Sequence, residues 1–239
     1  MPNMLDLLRR GLLAASLALA PCLAAAEGLR VSPVMLEVPA PGAATTLTLR
    51  NEGRETITVQ ARAFRWTQSG GQEQLRRGGE VVVSPPATRL PPGATQTIRV
   101  VRTAKSPVKG EEAWRIIINE VPDQSRRRSG AVAFATELRI PVFFTGRGAR
   151  SPEVAWSLRN SGGATFLVAQ NRGDTRLRLA DLRLTGASGA SVSRPGLVGY
   201  VLGGSTMQWP VAQAGRLGGG ARLRAATNLG ALDARVPAR

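Results

Sequence analysis

The chain has 239 residues, of which 43% are apolar, 20% charged and 4% aromatic, with 27 Gly and 16 Pro. That composition is globular, and the length suits one large or two ordinary domains. With no histidine, one cysteine and a net charge of +16, the sequence excludes a His-based triad, a His general base, a His metal site, a Cys zinc cluster and an internal disulfide. No catalytic residue, metal ligand or cofactor is therefore expected.

Residues 1–26 read as a secretory signal. Arg9 and Arg10 form the charged head, the run from Gly11 to Ala20 supplies about ten apolar residues, and Ala24, Ala25 and Ala26 are small residues of the kind a signal peptidase reads. The run is too short to span a bilayer as a helix, which takes ~20 residues. Cleavage is expected after Ala26. Pro21 before Cys22 disfavours a lipoprotein. The expected product is an exported chain, not membrane-embedded, with 30 basic and 15 acidic residues.

Of the 32 basic residues 30 are arginine. Such a balance attracts polyanions: nucleic acid, anionic lipid headgroups or acidic proteins. Export and the lack of interleaved stacking aromatics argue against nucleic acid. Arg126, Arg127 and Arg128 form the one tight cluster, flanked by Ser and Gly as at a loop tip.

Beyond the signal no helical period persists. Short alternating or β-branched runs recur between Gly, Pro and Asn punctuation, the pattern of an all-β sandwich. The first half yields Leu29–Val38, Ala44–Arg50, Thr56–Trp66, Glu80–Val83, Thr95–Val101, Ala113–Val121 and Val132–Phe144. Seven strands over that length match an immunoglobulin-like sandwich. The stretch Thr145–Pro152 is small, basic and proline-terminated, and reads as an elbow. Strands resume at Val154–Leu158, Ala164–Gln170, Arg176–Leu184, Val198–Leu202, Thr206–Val211 and Ala221–Thr227, with Trp156, Phe166, Tyr200 and Trp209 as the aromatic core. The expected fold is all-β: two immunoglobulin-like β-sandwich domains at an angle, residues 27–147 and 148–239, with a cleft between them.

Several segments then coincide in order with a known family. They are Thr46–Asn51, Pro85–Gly93 followed by Thr97–Val100, Glu111–Pro122 with its Glu120-Val121-Pro122 turn, and Arg139–Phe144. In the second half Asn171–Gly173, Gly199–Ser205 and Trp209-Pro210 continue the series. This order resembles the periplasmic chaperones of chaperone–usher pilus assembly, the PapD-like family, and within it the archaic or Csu-like branch. The resemblance implies a chaperone that binds pilus subunits by donor-strand complementation through its seventh strand and delivers them to an outer-membrane usher. Family members anchor the subunit's terminal carboxylate with two basic residues. Those positions fall here at Met35 and Pro141, so that pair does not carry over.

The run from Ala131 to Ile140 has the form a donor strand needs. With a period of two, Val132, Phe134, Thr136, Leu138 and Ile140 share one face, and Ala131, Ala133, Ala135, Glu137 and Arg139 the other. The larger set is expected to bind the subunit. Arg139, Arg89 and Arg115 are the candidate carboxylate anchors, since a guanidinium grips a carboxylate with two parallel hydrogen bonds. Two other readings compete: an exported adhesion or polyanion-binding module, and an enzyme. Adjacent Glu111 and Glu112 point to opposite faces of a strand and make a poor acid–base pair, which disfavours the enzyme.

Overall fold

Alternation sets the strands. In Ala44–Asn51 the side chains of Leu47, Leu49 and Asn51 turn inward while their neighbours are exposed or half-buried. The computed structural model describes residues 28–121 and 136–238, which form strands joined by turns without a helix. The expected signal and the Arg126–Arg128 cluster lie outside the described residues.

The first lobe holds β1 (Leu29–Ser32), β2 (Leu36–Pro39), β3 (Ala44–Asn51), β4 (Ile57–Ser69), β5 (Gln72–Arg77), β6 (Val81–Ser84), β7 (Ala87–Leu90), β8 (Thr95–Arg102), β9 (Glu111–Val121) and β10 (Glu137–Thr145). One sheet runs β1-β3-β8-β6, and the facing sheet runs β2-β10-β9-β4-β5 with β7 also on β4. Between them lie Leu47, Leu49, Ile98, Val100, Trp114, Ile116, Ile118, Val142 and Phe144, each at most 1% exposed.

The expected single strand Leu29–Val38 is two strands in different sheets. Pro33 lacks an N–H, and the chain crosses from the β3 edge to the β10 edge at that point. Two strands of this lobe escaped the sequence pattern altogether. β5 has one apolar side chain in six, and β7 is only four residues between Pro86 and Pro91.

The second lobe contains β11 (Val154–Ser161), β12 (Ala164–Asn171), β13 (Leu177–Gly186), β14 (Ser191–Val201), β15 (Thr206–Gln213), β16 (Gly220–Thr227) and β17 (Gly230–Pro237). Its sheets run β11-β12-β15 and β14-β13-β16-β17. Leucine dominates this core, through Leu158, Leu167, Leu179, Leu182, Leu184, Leu217 and Leu223. Trp209 joins it and Trp156 packs at its margin. The other two expected core aromatics sit elsewhere. Phe166 is half-buried beneath the Arg159 guanidinium, 5.5 Å away, and Tyr200 packs between the lobes.

The lobes share one internal device. Asn51 in the first is buried, donates to the carbonyls of Glu55 and Leu90 at 2.7 and 2.9 Å, and accepts from Gly53 N. Asn171 in the second donates to Thr175 and Val201 and accepts from Gly173 N and Glu153 N. In both cases an Asn-x-Gly turn satisfies backbone groups where a strand ends, which explains the buried amide.

A polar and aromatic joint fixes the elbow. Trp66, Phe143 and Tyr200 form a three-ring cluster with centroids 5.5 to 5.9 Å apart. Gln68 reaches from β4 across to the second lobe, donating to Tyr200 O at 2.8 Å and accepting from Leu202 N at 2.9 Å. Arg176, 7% exposed, lies 3.7 Å from the Phe143 ring centroid and pairs with Glu111 and Glu37 of the first lobe. Burial pushes the Glu111 carboxyl up to about 6, against the pull of the Arg176 N–H and the Thr145 hydroxyl. Gly173 leaves no space for a larger residue: a β-carbon there would overlap the Ser151 carbonyl oxygen.

Candidate functional site

The outer face of the β2-β10-β9-β4-β5 sheet can be read row by row from the register. Glu137, Asn119 and Gln60 form one row, followed by Arg139, Ile117 and Arg62, and then Pro141, Arg115 and Phe64. Phe143 pairs with Ala113 in the next row, at the joint between the lobes. The face thus grades from polar at its tip to aromatic at the elbow.

β10 is paired on one side along its whole length and on the other along only part of it. β9 covers Glu137–Thr145, whereas β2 covers only Val142–Thr145. Among the described residues no strand lies beside the outer edge of Glu137–Pro141. Hydrogen-bond parity identifies which groups face that edge. Glu120 N donates to Thr136 O at 2.9 Å, so the even-numbered residues of β10 bond to β9. Thr145 O accepts from Ala40 N on the β2 side, as an odd-numbered residue should. The main-chain groups of Glu137 and Arg139 therefore point outward with the Pro141 carbonyl. Pro141 itself offers no N–H, and the pairing with β2 begins one residue later.

Polar side chains flank this edge. Glu137 accepts from Arg139 Nε and Asn119 Nδ2, each at 2.7 Å, and Asn119 accepts from Arg62 at 2.8 Å. The bond from Arg139, seconded by Asn119, holds the Glu137 carboxyl below its usual range. Arg115 lies 3.8 Å from the centre of the Trp66 ring and donates to both oxygens of Glu73, at 3.0 and 3.2 Å. Its Nε is buried without a partner.

All three arginines expected as anchors lie on this face, but they do not converge. Arg115 is directly opposite Pro141. Arg139 is two residues further from the elbow, about 7 Å at the usual strand rise. Arg89 is exposed on β7 opposite Thr58, some six residues along β4 from Phe64, or about 20 Å. Met35 is partly buried in the joint, with its sulfur 3.9 Å from the Tyr200 hydroxyl.

The expected subunit-binding face needs one correction. Ile140 is 4% exposed and belongs to its own lobe's core, because its parity matches that of Val142 and Phe144. Leu138 is half-buried and packs against the same core. Thr136 is half-buried just before β10, and Val132 and Phe134 lie outside the described residues. Sequence reasoning also missed Asn119, Glu73 and Arg62. Their partners are far away in sequence, and only the register brings them together.

Glu111 and Glu112 are engaged in separate ion pairs, Glu111 with Arg176 and Glu112 with Arg102 at 2.8 Å. Among the described residues no group of three or more His, Cys, Asp or Glu side chains could hold a metal.

The family model for the pili and flagellar-assembly chaperone, PapD N-terminal domain, matches residues 28–150. The chain belongs to this family. Its members are chaperones rather than enzymes. The two-lobed fold agrees. The chaperone of the CsuC–CsuE chaperone–tip adhesion subunit pre-assembly complex, from archaic Csu pili of Acinetobacter baumannii, superposes with a TM-score of 0.69 at 24% identity, over 89% of this chain and 99% of that one. The Escherichia coli chaperone DraB gives 0.59 at 20% identity over 87% and 96%, and Pseudomonas aeruginosa CupB2 gives 0.57 at 18% over 88% and 100%. No curated protein matches the sequence.

Proposed function

We propose that this chaperone binds pilus subunits in the periplasm by lending them a strand, and hands them to an outer-membrane usher. The observation that carries this reading is the outer edge of β10 at Glu137–Pro141, which no strand among the described residues covers. An unfinished immunoglobulin-like subunit exposes an apolar groove and a strand edge that aggregate unless another chain covers them. β10 offers such a subunit the outward backbone groups of Glu137, Arg139 and Pro141, the first step of strand addition. Thr136 and Leu138, continued back through Phe134 and Val132, supply side chains for the groove. Each large apolar side chain buried there contributes roughly 1.5–3 kcal/mol before ordering costs.

A strand added parallel to β10 ends at Pro141, because the next stretch of edge belongs to β2. Its terminal carboxylate then lies in the row of Pro141 and Arg115, with Arg139 one row away. The unpartnered Nε of Arg115 and its place in the row of Pro141 favour this arginine over Arg89 as the anchor. The division into residues 27–147 and 148–239, with export directed by residues 1–26, completes the reading.

The proposal is tested by co-expressing the chain in the periplasm with candidate subunits. A soluble one-to-one complex is expected, and loss of the subunit despite a folded chaperone would contradict it.

A further inference from the structure

The second lobe carries an exposed face that plays no part in the proposed subunit site. In the β14-β13-β16-β17 sheet the side chains alternate cleanly. Leu182, Leu184, Leu223 and Val236 point into the core, and their neighbours are exposed. Two adjacent rows cross the exposed side. Ser193, Arg183, Arg224 and Asp233 form the first, and Ser191, Thr185, Arg222 and Arg235 the second. Strands lie about 4.8 Å apart and alternate residues about 7 Å apart, so four guanidinium groups share one small patch with a single acid.

Asp233 organises that patch. Arg222 donates to its two oxygens through Nε and Nη2, at 2.7 and 2.8 Å, and Arg224 Nε donates at 3.2 Å. Two arginines are thus held side by side with outer N–H groups free to donate, and Arg183 and Arg235 flank them. The net charge of the two rows is positive, and the other members are Ser and Thr. The patch has no aromatic anchor of the kind that supplies most of the energy of a protein–protein interface. At one end of the sheet Leu197 and Leu229 are 56% and 62% exposed, two of five large apolar side chains so exposed among the described residues. Leu197 sits in the row of Ala180, Ala226 and Ala231, and Leu229 in the turn that follows Thr227.

We infer that this face docks the chaperone peripherally on an anionic phospholipid surface. The arginines bind headgroup phosphates and the two leucines enter the interface. This inference does not depend on the subunit-binding reading.

The test is co-sedimentation of the folded chain with phosphatidylglycerol-containing vesicles and with vesicles of phosphatidylcholine alone. Binding is expected only to the first and should weaken with salt. The triple variant R222Q/R224Q/R235Q should bind about tenfold or more weakly. A charge-matched variant of the exposed side of the first lobe's β1-β3-β8-β6 sheet, R30Q/R50Q/R99Q, should bind as the parent does. Equal binding to both vesicles, or equal losses in the two variants, would overturn the inference. So would a chain that ignores the vesicles and binds polyglutamate, which would indicate an acidic protein partner. All the substituted arginines are exposed, and unchanged melting temperatures confirm that each variant is folded.

Discussion

Pro141 lies directly opposite Arg115 across β10 and β9, at the point where the open edge of β10 gives way to its pairing with β2. The proline closes the outer ladder of hydrogen bonds, and the arginine stands in the same row on β9 with its guanidinium on Glu73. For a strand added in parallel, as proposed, that is where a terminal carboxylate would come to rest.

The anchors should therefore rank by distance from Pro141. Arg115→Ala is expected to weaken subunit capture most, Arg139→Ala less, and Arg89→Ala least. Losing a charge-assisted hydrogen bond to a carboxylate costs about 1.5–3 kcal/mol, equivalent to roughly tenfold or more in affinity. Co-purification yield and titration with a peptide of the subunit's last strand both read the order. An Arg115→Ala variant that captures subunit normally, beside an impaired Arg89→Ala, would move the anchor to the far end of the sheet.

The elbow should depend on Gln68 and Arg176. Gln68→Ala removes two hydrogen bonds that cross between the lobes and leaves Leu202 N and Tyr200 O without them. A destabilisation of about 1–3 kcal/mol is expected. Arg176→Ala leaves the buried Glu111 carboxylate uncompensated and should cost about 3–5 kcal/mol. Denaturant unfolding measures both. A loss within 0.5 kcal/mol for Arg176→Ala would mean that the joint does not couple the lobes.

Much of this could be read along the chain, and the misses share a cause. The runs that became β3, β8 and β12 alternate between core and solvent, so their period shows. β5 and β17 expose most of their side chains and leave little pattern to find. Ile140 shares its period with Phe134 and Leu138, but alternation gives two faces and does not say which one is buried. Val142 and Phe144 share its parity and settle the matter once the second sheet is in place. The elbow was legible as a linker, but its fastening was not. Arg176 and Glu111 are 65 residues apart, and Gln68 and Tyr200 are 132 apart.

Glu111 also gives the elbow a pH dependence with a definite sign. Burial raises its folded-state value to about 6 from 4.5, so between those values the folded protein binds a proton that the unfolded chain releases. The stability due to Glu111 is then greatest below about pH 4.5 and declines as the pH rises through 6, by about 1–2 kcal/mol. Comparing the parent with Glu111→Gln across pH 4–7 isolates this contribution. The opposite slope would mean that the Arg176 ion pair outweighs burial.

The two buried asparagines should behave alike. Asn51→Ala and Asn171→Ala each strip a turn of several hydrogen bonds and should each destabilise by about 2 kcal/mol or more. Gly173→Ala should be at least as damaging, because its β-carbon meets the Ser151 backbone. Thermal melts of the three variants provide the check.

Residue-resolved amide hydrogen exchange, with and without a bound subunit, tests strand lending most directly. In the free chaperone the amides of Glu137 and Arg139 face the open edge and should exchange quickly, whereas those of Leu138 and Ile140, bonded to β9, should be slow. Binding should slow Glu137 and Arg139 sharply and leave the other two nearly unchanged. If a subunit binds while the Glu137 and Arg139 amides continue to exchange at their free rates, β10 is not the lent strand.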